Sequence, residues 1–260
     1  MSRLLGNLPV AARLLAAALV ASIAAPHARA ADPTALPDGF VFLRDAAPTI
    51  EQDLRYASSR NFTGKPVPGY TASECVLTRP AAKALADVQK ALIRSGFGLR
   101  VYDCYRPTRA TAAFMDWIGT PARASTARYH PNVDKSKLVA SGYISRTSSH
   151  SAGDTVDLTL VRRTAGSDDR PGPQNQCGSE PDGSVDMGTG FDCFDVRSHV
   201  SAKGLSPSHR EARHILADTM RAHGFRGYAK EWWHFSYERA PRGPLRNFPV
   251  PKRTAEPERK

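Results

Sequence analysis

The 260-residue sequence predicts an α+β fold, with a mainly antiparallel central sheet flanked by helices. Patterns typical of strands and of helices both occur, but they do not alternate regularly as they do in parallel α/β folds. Hydrophobic residues make up 41% of the chain and charged residues 23%, which is ordinary for a globular protein and excludes disorder throughout. The chain is long enough to bury the core of a single domain.

Residues 1–30 have the layout of a secretory signal peptide. Two arginines, Arg3 and Arg13, precede an apolar run over residues 14–25, and Ala28-Arg29-Ala30 is a small-x-small cleavage site. The alternative is a membrane anchor, but the apolar run is shorter than the ~20 residues that a spanning helix needs. We therefore expect cleavage after this site, export to the periplasm or secretion, and a mature chain that does not insert into the membrane.

Charge and cysteine content fit an exported protein. The formal net charge of +11 suits a protein beside an anionic cell envelope or serves solubility alone, and export argues against a nucleic-acid partner. The four cysteines form no CxxC pair, so we expect two disulfides and not a cysteine metal site. Four cysteines allow three pairings. We favour Cys75–Cys104 and Cys177–Cys193, because the second pair flanks one polar loop.

The first half of the chain predicts two helices around a strand. Apolar residues recur at three-to-four spacing over residues 79–95, and Gly96 follows, which predicts an amphipathic helix. Residues 97–103 are apolar and partly β-branched and predict a strand. A second helix is expected over residues 109–118, since Pro107 lies where a helix can begin.

The middle of the chain predicts two strands and then a long loop. The strands are expected over residues 143–150 and 155–161, around a tight turn that contains glycine. Residues 163–186 are polar and rich in Gly, Pro and Ser, and we interpret them as a surface loop because compact patterning resumes on both sides. We expect a single domain over residues 31–250 and a flexible charged tail over residues 251–260.

The C-terminal part predicts one more helix and one more strand. Ser208 and Glu211 form a capping box for a helix over residues 209–223. Residues 231–238 are rich in aromatic side chains and predict a strand.

Three polar clusters, at residues 103–107, 148–157 and 231–234, carry the residue types of a zinc hydrolase. Such a site needs about three His or carboxylate ligands and an open position for water. It also needs a base that is not itself a ligand and that can take the proton of the water.

His150 and Asp157 lie on either side of the predicted turn, and His234 supplies a third ligand from another strand. Glu231 is then the free carboxylate that can act as the base. Residues three apart on a regular strand point to opposite faces, so we predict a bend or bulge that turns Glu231 towards the metal. Asp154 is a rival ligand that spacing does not exclude. Each residue alone also fits an ordinary role, such as a turn histidine in water or a satisfied histidine in a core strand.

One combined pattern is more specific than its parts. Ser-x-His-x-x-Gly-x-x-x-Asp begins at Ser148, and Glu-x-x-His follows far downstream from Glu231. This combination resembles the zinc D,D-peptidases, including the D-alanyl-D-alanine dipeptidases. The resemblance extends from about residue 40 to residue 250, and its motifs follow the family's order. The motifs are residues 53–57, 61–67, 69–70, 105–107, 148–151, 157–160, 187–189, 191–192, 197–199 and 231–234.

The resemblance implies the fold, the cofactor and the catalytic groups. It implies the hedgehog-like fold of the zinc D,D-peptidases and one zinc ion per chain, bound by His150, Asp157 and His234. Glu231 matches the family's catalytic base. Arg106 matches the arginine that stabilises the charged tetrahedral intermediate.

The resemblance also implies how a dipeptide is bound. Tyr56, Ser148 and Asp192 match residues that contact it, and Asp192 suits the free ammonium group because a buried ammonium needs a carboxylate partner. This chain departs from the family pattern at two places. Cys104 stands where the family has Gly, and the loop over residues 163–186 is longer than the family's compact turn.

The predicted function is zinc-dependent hydrolysis of D-alanyl-D-alanine to two D-alanine molecules in the cell envelope. One alternative is a D,D-carboxypeptidase that acts on peptidoglycan stem peptides. Asp192 argues against it, because an acidic pocket for a free ammonium disfavours an acylated amine. The other alternative is a non-catalytic zinc module that binds the cell wall. Such a module would normally lack the base, and Glu231 is present.

Overall fold

A mixed sheet forms the centre of the structure, a computed structural model that describes residues 35–163 and 177–253. The strands are β1 (Phe40–Phe42), β2 (Glu51–Gln52), β3 (Val76–Thr78), β4 (Phe97–Asp103), β5 (Thr155–Arg162), β6 (Phe225–Tyr228) and β7 (Glu231–Tyr237). The α-helices are α1 (Leu43–Ala46), α2 (Arg79–Ile93), α3 (Thr108–Ile118) and α4 (Pro207–Ala222). Short 3-10 helices connect several of these elements.

The central sheet has the strand order β2-β4-β5-β7-β6. Its β2–β4 pair is parallel and its other pairs are antiparallel, while β1 and β3 form a separate antiparallel pair. Helix α2 packs against β4, α4 packs against β6, and the two helices contact each other. The predicted α+β fold with a mainly antiparallel sheet is confirmed.

Strand β5 lies in the middle of this sheet, and all of its residues except Arg162 are buried. Its sequence alternates, so one covered face is apolar and the opposite covered face carries polar side chains, Asp157 among them. Gln89 fixes α2 beside the neighbouring strand β4, because its side chain accepts from the Leu99 N–H (2.8 Å) and donates to the Thr49 carbonyl (2.9 Å). The hydrophobic core therefore fixes the positions of β4 and β5.

The prediction of a strand over residues 143–150 is wrong. These residues form turns and the start of a 3-10 helix, Ser149–Ala152. The Ser148 side chain accepts a hydrogen bond from the His150 N–H, a local contact that competes with strand pairing. Gly153 ends the 3-10 helix with a φ of +82°, which is the glycine turn that the sequence predicts before β5.

The prediction that Ser208 caps α4 is also wrong. The cap is Ser206, whose side chain accepts from the His209 N–H (3.1 Å). Pro207 follows it in the first turn, where a proline costs no hydrogen bond because the first N–H groups of a helix have no partner within it. The other predicted helices and strands, α2, β4, α3, β5 and β7, agree closely with the structure.

The C-terminal segment of the described chain packs against residues from its first half. The Phe248 ring stacks on Tyr105 with 4.0 Å between ring centroids, and Val250 forms a parallel bridge with Tyr70. Within the predicted tail, Arg253 pairs with Asp45. The predicted signal peptide lies outside the described residues, as do residues 164–176 of the predicted loop and residues 254–260. Among the residues that are described, no helix is long and apolar enough to cross a membrane.

Both favoured disulfides are present. Cys75–Cys104 joins the start of β3 to the end of β4, and Cys177–Cys193 joins two loop segments. Each lies beside the site described next.

Candidate active site

Strand register brings three polar side chains together at one level of the sheet. Asp103 of β4 pairs with Asp157 of β5, and Asp157 pairs with His234 of β7. Directly paired residues present their side chains on the same face. Val101 pairs with Leu158, so a regular register would place Asp103 opposite Val156. A bulge at Tyr102 shifts the register by one residue and places Asp103 opposite Asp157 instead.

His150 enters this cluster from the 3-10 helix that precedes β5. Its Nδ1–H donates to the Cys104 carbonyl (2.7 Å), so Nε2 carries the free lone pair. That Nε2 lies 3.3 Å from Asp157 Oδ1 and 3.3 Å from His234 Nδ1. His234 Nδ1 is in turn 3.0 Å from Asp157 Oδ1.

These three residues fit a zinc site. One ligand atom of each lies within 4.8 Å of the others, and two imidazoles with one carboxylate are donors that zinc accepts. Asp157 Oδ1 is buried, and although two imidazole nitrogens lie close to it, it makes no hydrogen bond to any described residue. Such an arrangement is costly unless a cation binds between these atoms. Burial lowers the pKa of His234, which favours the neutral ring that a metal ligand needs. The rival ligand Asp154 instead binds Thr155 and Arg242.

Glu231 reaches the cluster through an irregularity in β7. Gly227 of β6 pairs with Phe235, whereas the next β6 residue, Tyr228, pairs with Glu231. The β7 backbone therefore bulges over the residues in between, which is the bend expected from the sequence. Glu231 Oε2 lies 3.6 Å from His234 Nδ1. Burial raises the pKa of Glu231 well above its ordinary value, and Asp157 adds to that rise.

Arg106 lies between the two strand carboxylates. Its Nη2 is 2.8 Å from Asp103 Oδ2 and 3.5 Å from Asp157 Oδ2, and its Nε also donates to Asp103 Oδ2 (2.9 Å). Asp103 is fully buried and accepts a further hydrogen bond from the Tyr70 hydroxyl (2.6 Å). The sequence analysis placed Asp103 in a polar cluster but assigned it no role. Its three-residue spacing to Arg106 is the signal that could have shown that it binds this arginine.

The residues predicted to contact a dipeptide also face the cluster. Tyr56 donates its hydroxyl to Asp192 Oδ2 (3.0 Å), and Asp192 is buried. Burial raises the pKa of Asp192 well above its ordinary value, with Asp157 as the next cause. Ser148 caps the 3-10 helix that carries His150.

A pocket of about 260 Å³ connects both sets of residues. It brings together Arg106, Asp157, Glu231 and His234 with Tyr56, Ser148 and Asp192, while His150 lies buried behind them. Sequence reasoning missed its aromatic wall, which the fold assembles from distant segments. That wall consists of Phe62, Phe114, Tyr143, Phe194, Tyr228 and Trp233.

Comparison with known proteins gives the family of this chain. A family model described as D-ala-D-ala dipeptidase matches residues 37–172 and 176–253. The chain belongs to that family. The D-alanyl-D-alanine dipeptidase of Enterococcus faecium is 37% identical over 198 residues, which are 76% of this chain and 90% of that protein. The D-alanyl-D-alanine dipeptidase of Streptomyces coelicolor is 36% identical over 203 residues, 78% of this chain and 93% of that protein.

A solved structure of a vancomycin resistance D,D-pentapeptidase in complex with Zn(II) shows a more distant likeness. It covers 65% of this chain and 76% of that one, with 16% identity and a TM-score of 0.35. The family that the sequence motifs predict is confirmed by the family model and the dipeptidase relatives.

Proposed function

We propose that this protein is a zinc-dependent dipeptidase that hydrolyses D-alanyl-D-alanine to two D-alanine molecules. The convergence of His150, Asp157 and His234, with Glu231 beside them, is the observation that supports it most. The pocket of about 260 Å³ is smaller than the roughly 300–1,000 Å³ typical of drug-sized ligands. A substrate of two small residues suits it.

The three ligand residues would hold the zinc ion. Zinc bound by such ligands lowers the pKa of a bound water to about 7 and polarises a carbonyl. The hydrogen bond from His150 Nδ1–H to the Cys104 carbonyl orients the imidazole for this role. The remaining steps belong to side chains that are not ligands.

Glu231 acts as general base and then as general acid. Its Oε2 takes the proton of the attacking water, and a bond forms between the water oxygen and the scissile carbonyl carbon. As the C–N bond breaks, the same oxygen delivers that proton to the leaving amine. Burial raises the pKa of Glu231 well above its ordinary value, which makes the carboxylate a stronger base for the proton of the water.

Arg106 stabilises the oxygen that becomes negative in the tetrahedral intermediate. Its guanidinium is held by Asp103, which Tyr70 holds in turn, so the donor is in place before charge develops. The planar group also lies over the Tyr56 ring (5.1 Å) and the Phe114 ring (5.0 Å). These contacts restrict its motion.

Asp192 binds the free ammonium group of the dipeptide. Its carboxylate is buried, and a buried ammonium is stable only beside such a partner. An acylated amine offers no positive charge at this position. The proposed enzyme therefore prefers free dipeptides to peptidoglycan stem peptides.

The test compares D-Ala-D-Ala with its N-acetyl form. Zinc-loaded protein should release D-alanine from the free dipeptide, and the Glu231→Ala variant should bind zinc but release almost none. Release from the N-acetyl form at an equal or higher rate would replace the dipeptidase by a carboxypeptidase. No release from either substrate, with zinc present, would overturn the enzymatic proposal.

We also propose that the protein is exported and works in the cell envelope, and the layout of residues 1–30 and the two disulfides support this. The mass of the protein from fractionated cells tests the idea. The expected result is a periplasmic protein that begins after Ala30. An intact chain in the cytoplasm would contradict it.

A further inference from the structure

Asp192 has a strained backbone. Its φ is +59°, and among the described residues it is the only one other than glycine with a positive φ. L-residues adopt this left-handed conformation at an energetic cost, so the surrounding structure has to hold it. The contacts on both sides of Asp192 therefore decide where its carboxylate points.

The residues on either side of Asp192 are tied to a neighbouring segment. Before it, the Phe191 carbonyl accepts a hydrogen bond from the Ser179 N–H (2.7 Å). After it, Cys193 forms the disulfide with Cys177, and both cysteines are buried. The disulfide is the covalent bond among these contacts, and one of its cysteines, Cys193, directly follows Asp192 in the chain.

Backbone hydrogen bonds fix these paired segments to one short helix. The Gly178 N–H donates to the Arg128 carbonyl (3.0 Å), and the Phe194 N–H donates to the Tyr129 carbonyl (2.7 Å). Both acceptors belong to the 3-10 helix Ala124–Tyr129. The disulfide thus joins two segments that are each anchored on the same support.

The other disulfide adjoins a different part of the site. Cys104 follows Asp103 at the end of β4, and its carbonyl accepts from His150 Nδ1. Cys75–Cys104 therefore lies beside the metal ligands and Arg106, whereas Cys177–Cys193 lies beside the ammonium partner.

We propose that the Cys177–Cys193 disulfide determines substrate specificity by holding Asp192 where its carboxylate binds a free ammonium group. The cysteines do not touch the substrate and act as positioning residues. This proposal rests on the proposed function, in which the substrates are small dipeptides with a free amino terminus. Cys75–Cys104 takes no part in this discrimination.

The experiment measures kcat and KM for D-Ala-D-Ala and for its N-acetyl form. The Cys177→Ala/Cys193→Ala variant should raise KM for the free dipeptide by about tenfold or more, the effect of a weakened charged hydrogen bond. Its kcat should change little and its zinc content should stay at one per chain. The preference for the free over the acetylated dipeptide, as a ratio of kcat/KM, should fall by the same factor.

The Cys75→Ala/Cys104→Ala variant is the matched control. Loss of either disulfide destabilises the fold, so a merely structural role would lower Tm in both variants and leave the preference unchanged in both. We expect the control to lower kcat and zinc affinity while it keeps the preference. An unchanged preference in the folded Cys177→Ala/Cys193→Ala variant would overturn the proposal.

Two further variants cover other outcomes. Added to Asp192→Asn, loss of Cys177–Cys193 should cause no additional change in preference, and an additive change would count against the proposal. If the double alanine variant does not fold, the Cys177→Ser/Cys193→Ser variant breaks the same bond with side chains closer in size to cysteine. It should lower the preference in the same way, and an unchanged preference there would also refute the inference. If the wild type does not hydrolyse D-Ala-D-Ala, the proposed function itself fails.

Discussion

The two halves of the site are built in different ways. One half, the strand half, holds the candidate metal ligands and is carried mainly by the sheet, where Asp103, Asp157 and His234 are direct neighbours on three strands. The other half, the loop half, holds the residues predicted to contact the dipeptide and is carried by irregular segments, since Tyr56 lies in a 3-10 helix and Asp192 in a loop. Ladder hydrogen bonds hold most of the strand half, whereas the Cys177–Cys193 disulfide, backbone hydrogen bonds between loop segments and side-chain contacts hold the loop half. Rigid elements give precise chemistry and loops give adjustable recognition, so changes in the two halves should affect kcat and KM separately.

The largest effect is expected at a strand ligand. His234→Ala should lose zinc and with it all measurable turnover, because two donors remain from a set of three. Metal content after gel filtration and release of D-alanine are the measurements. Stoichiometric zinc in the folded variant would remove His234 from the ligand set. A control is His214→Ala on the exposed side of α4, which should keep both metal and turnover.

Arg106 tests whether the strand half acts on the transition state. Arg106→Lys keeps a positive charge but loses the planar group that contacts Asp103 through two nitrogens. We expect kcat to fall by roughly 10²-fold or more, in the range seen when an oxyanion donor is removed, with KM almost unchanged. A larger change in KM than in kcat would assign Arg106 to substrate binding instead.

Asp192 gives the opposite pattern. Asp192→Asn removes the negative charge but keeps the size of the side chain and a group that Tyr56 can contact. KM for D-Ala-D-Ala should rise by about tenfold or more, kcat should change less, and zinc should stay bound. If only kcat fell, Asp192 would act in the catalytic step and not in substrate binding. The two halves would then no longer differ in whether they affect kcat or KM.

Local sequence signals account for much of the strand half. Apolar spacing and a following glycine predicted α2, and an apolar, partly β-branched run predicted β4. The set His150, Asp157 and His234 followed from the resemblance to the zinc D,D-peptidases, because spacing alone left Asp154 as a rival, and the structure brings the three side chains together. The bend at Glu231 was predictable because residues three apart on a regular strand point to opposite faces. These features depend on residues that are close in sequence or on strands with clear patterns.

Features that are decided by a single specific contact were harder to predict than elements with a repeating pattern. Asp103 owes its role to Tyr70, which lies far away in sequence, and to the bulge that sets the β4 register. The predicted strand over residues 143–150 failed because Ser148 makes a local hydrogen bond to the backbone. Neither effect has a periodic signature, because each is decided by one specific contact.

The smallest effect concerns the link between the two halves. Asp182, in the loop half, accepts hydrogen bonds from Arg55 (2.6 Å) and from Tyr102 of β4 (2.8 Å). Burial opposes its ionisation, but hydrogen bonds from Ser184 and Tyr102, with the charge of Arg55, hold the pKa of Asp182 below its ordinary value. A pKa that is lower in the folded state stabilises the fold at pH values above the unfolded pKa of about 3.9. That stability is lost as the pH falls through the folded pKa.

Asp182→Asn should therefore lower the free energy of unfolding by about 1–2 kcal/mol at neutral pH. The difference from wild type should shrink as the pH falls below about 4, because the wild-type carboxyl group then takes up a proton. Denaturant titrations at several pH values measure it, with Asp116→Asn on the exposed side of α3 as the control. A difference that stays constant down to low pH would show that packing, and not the charge of Asp182, joins the loop half to β4.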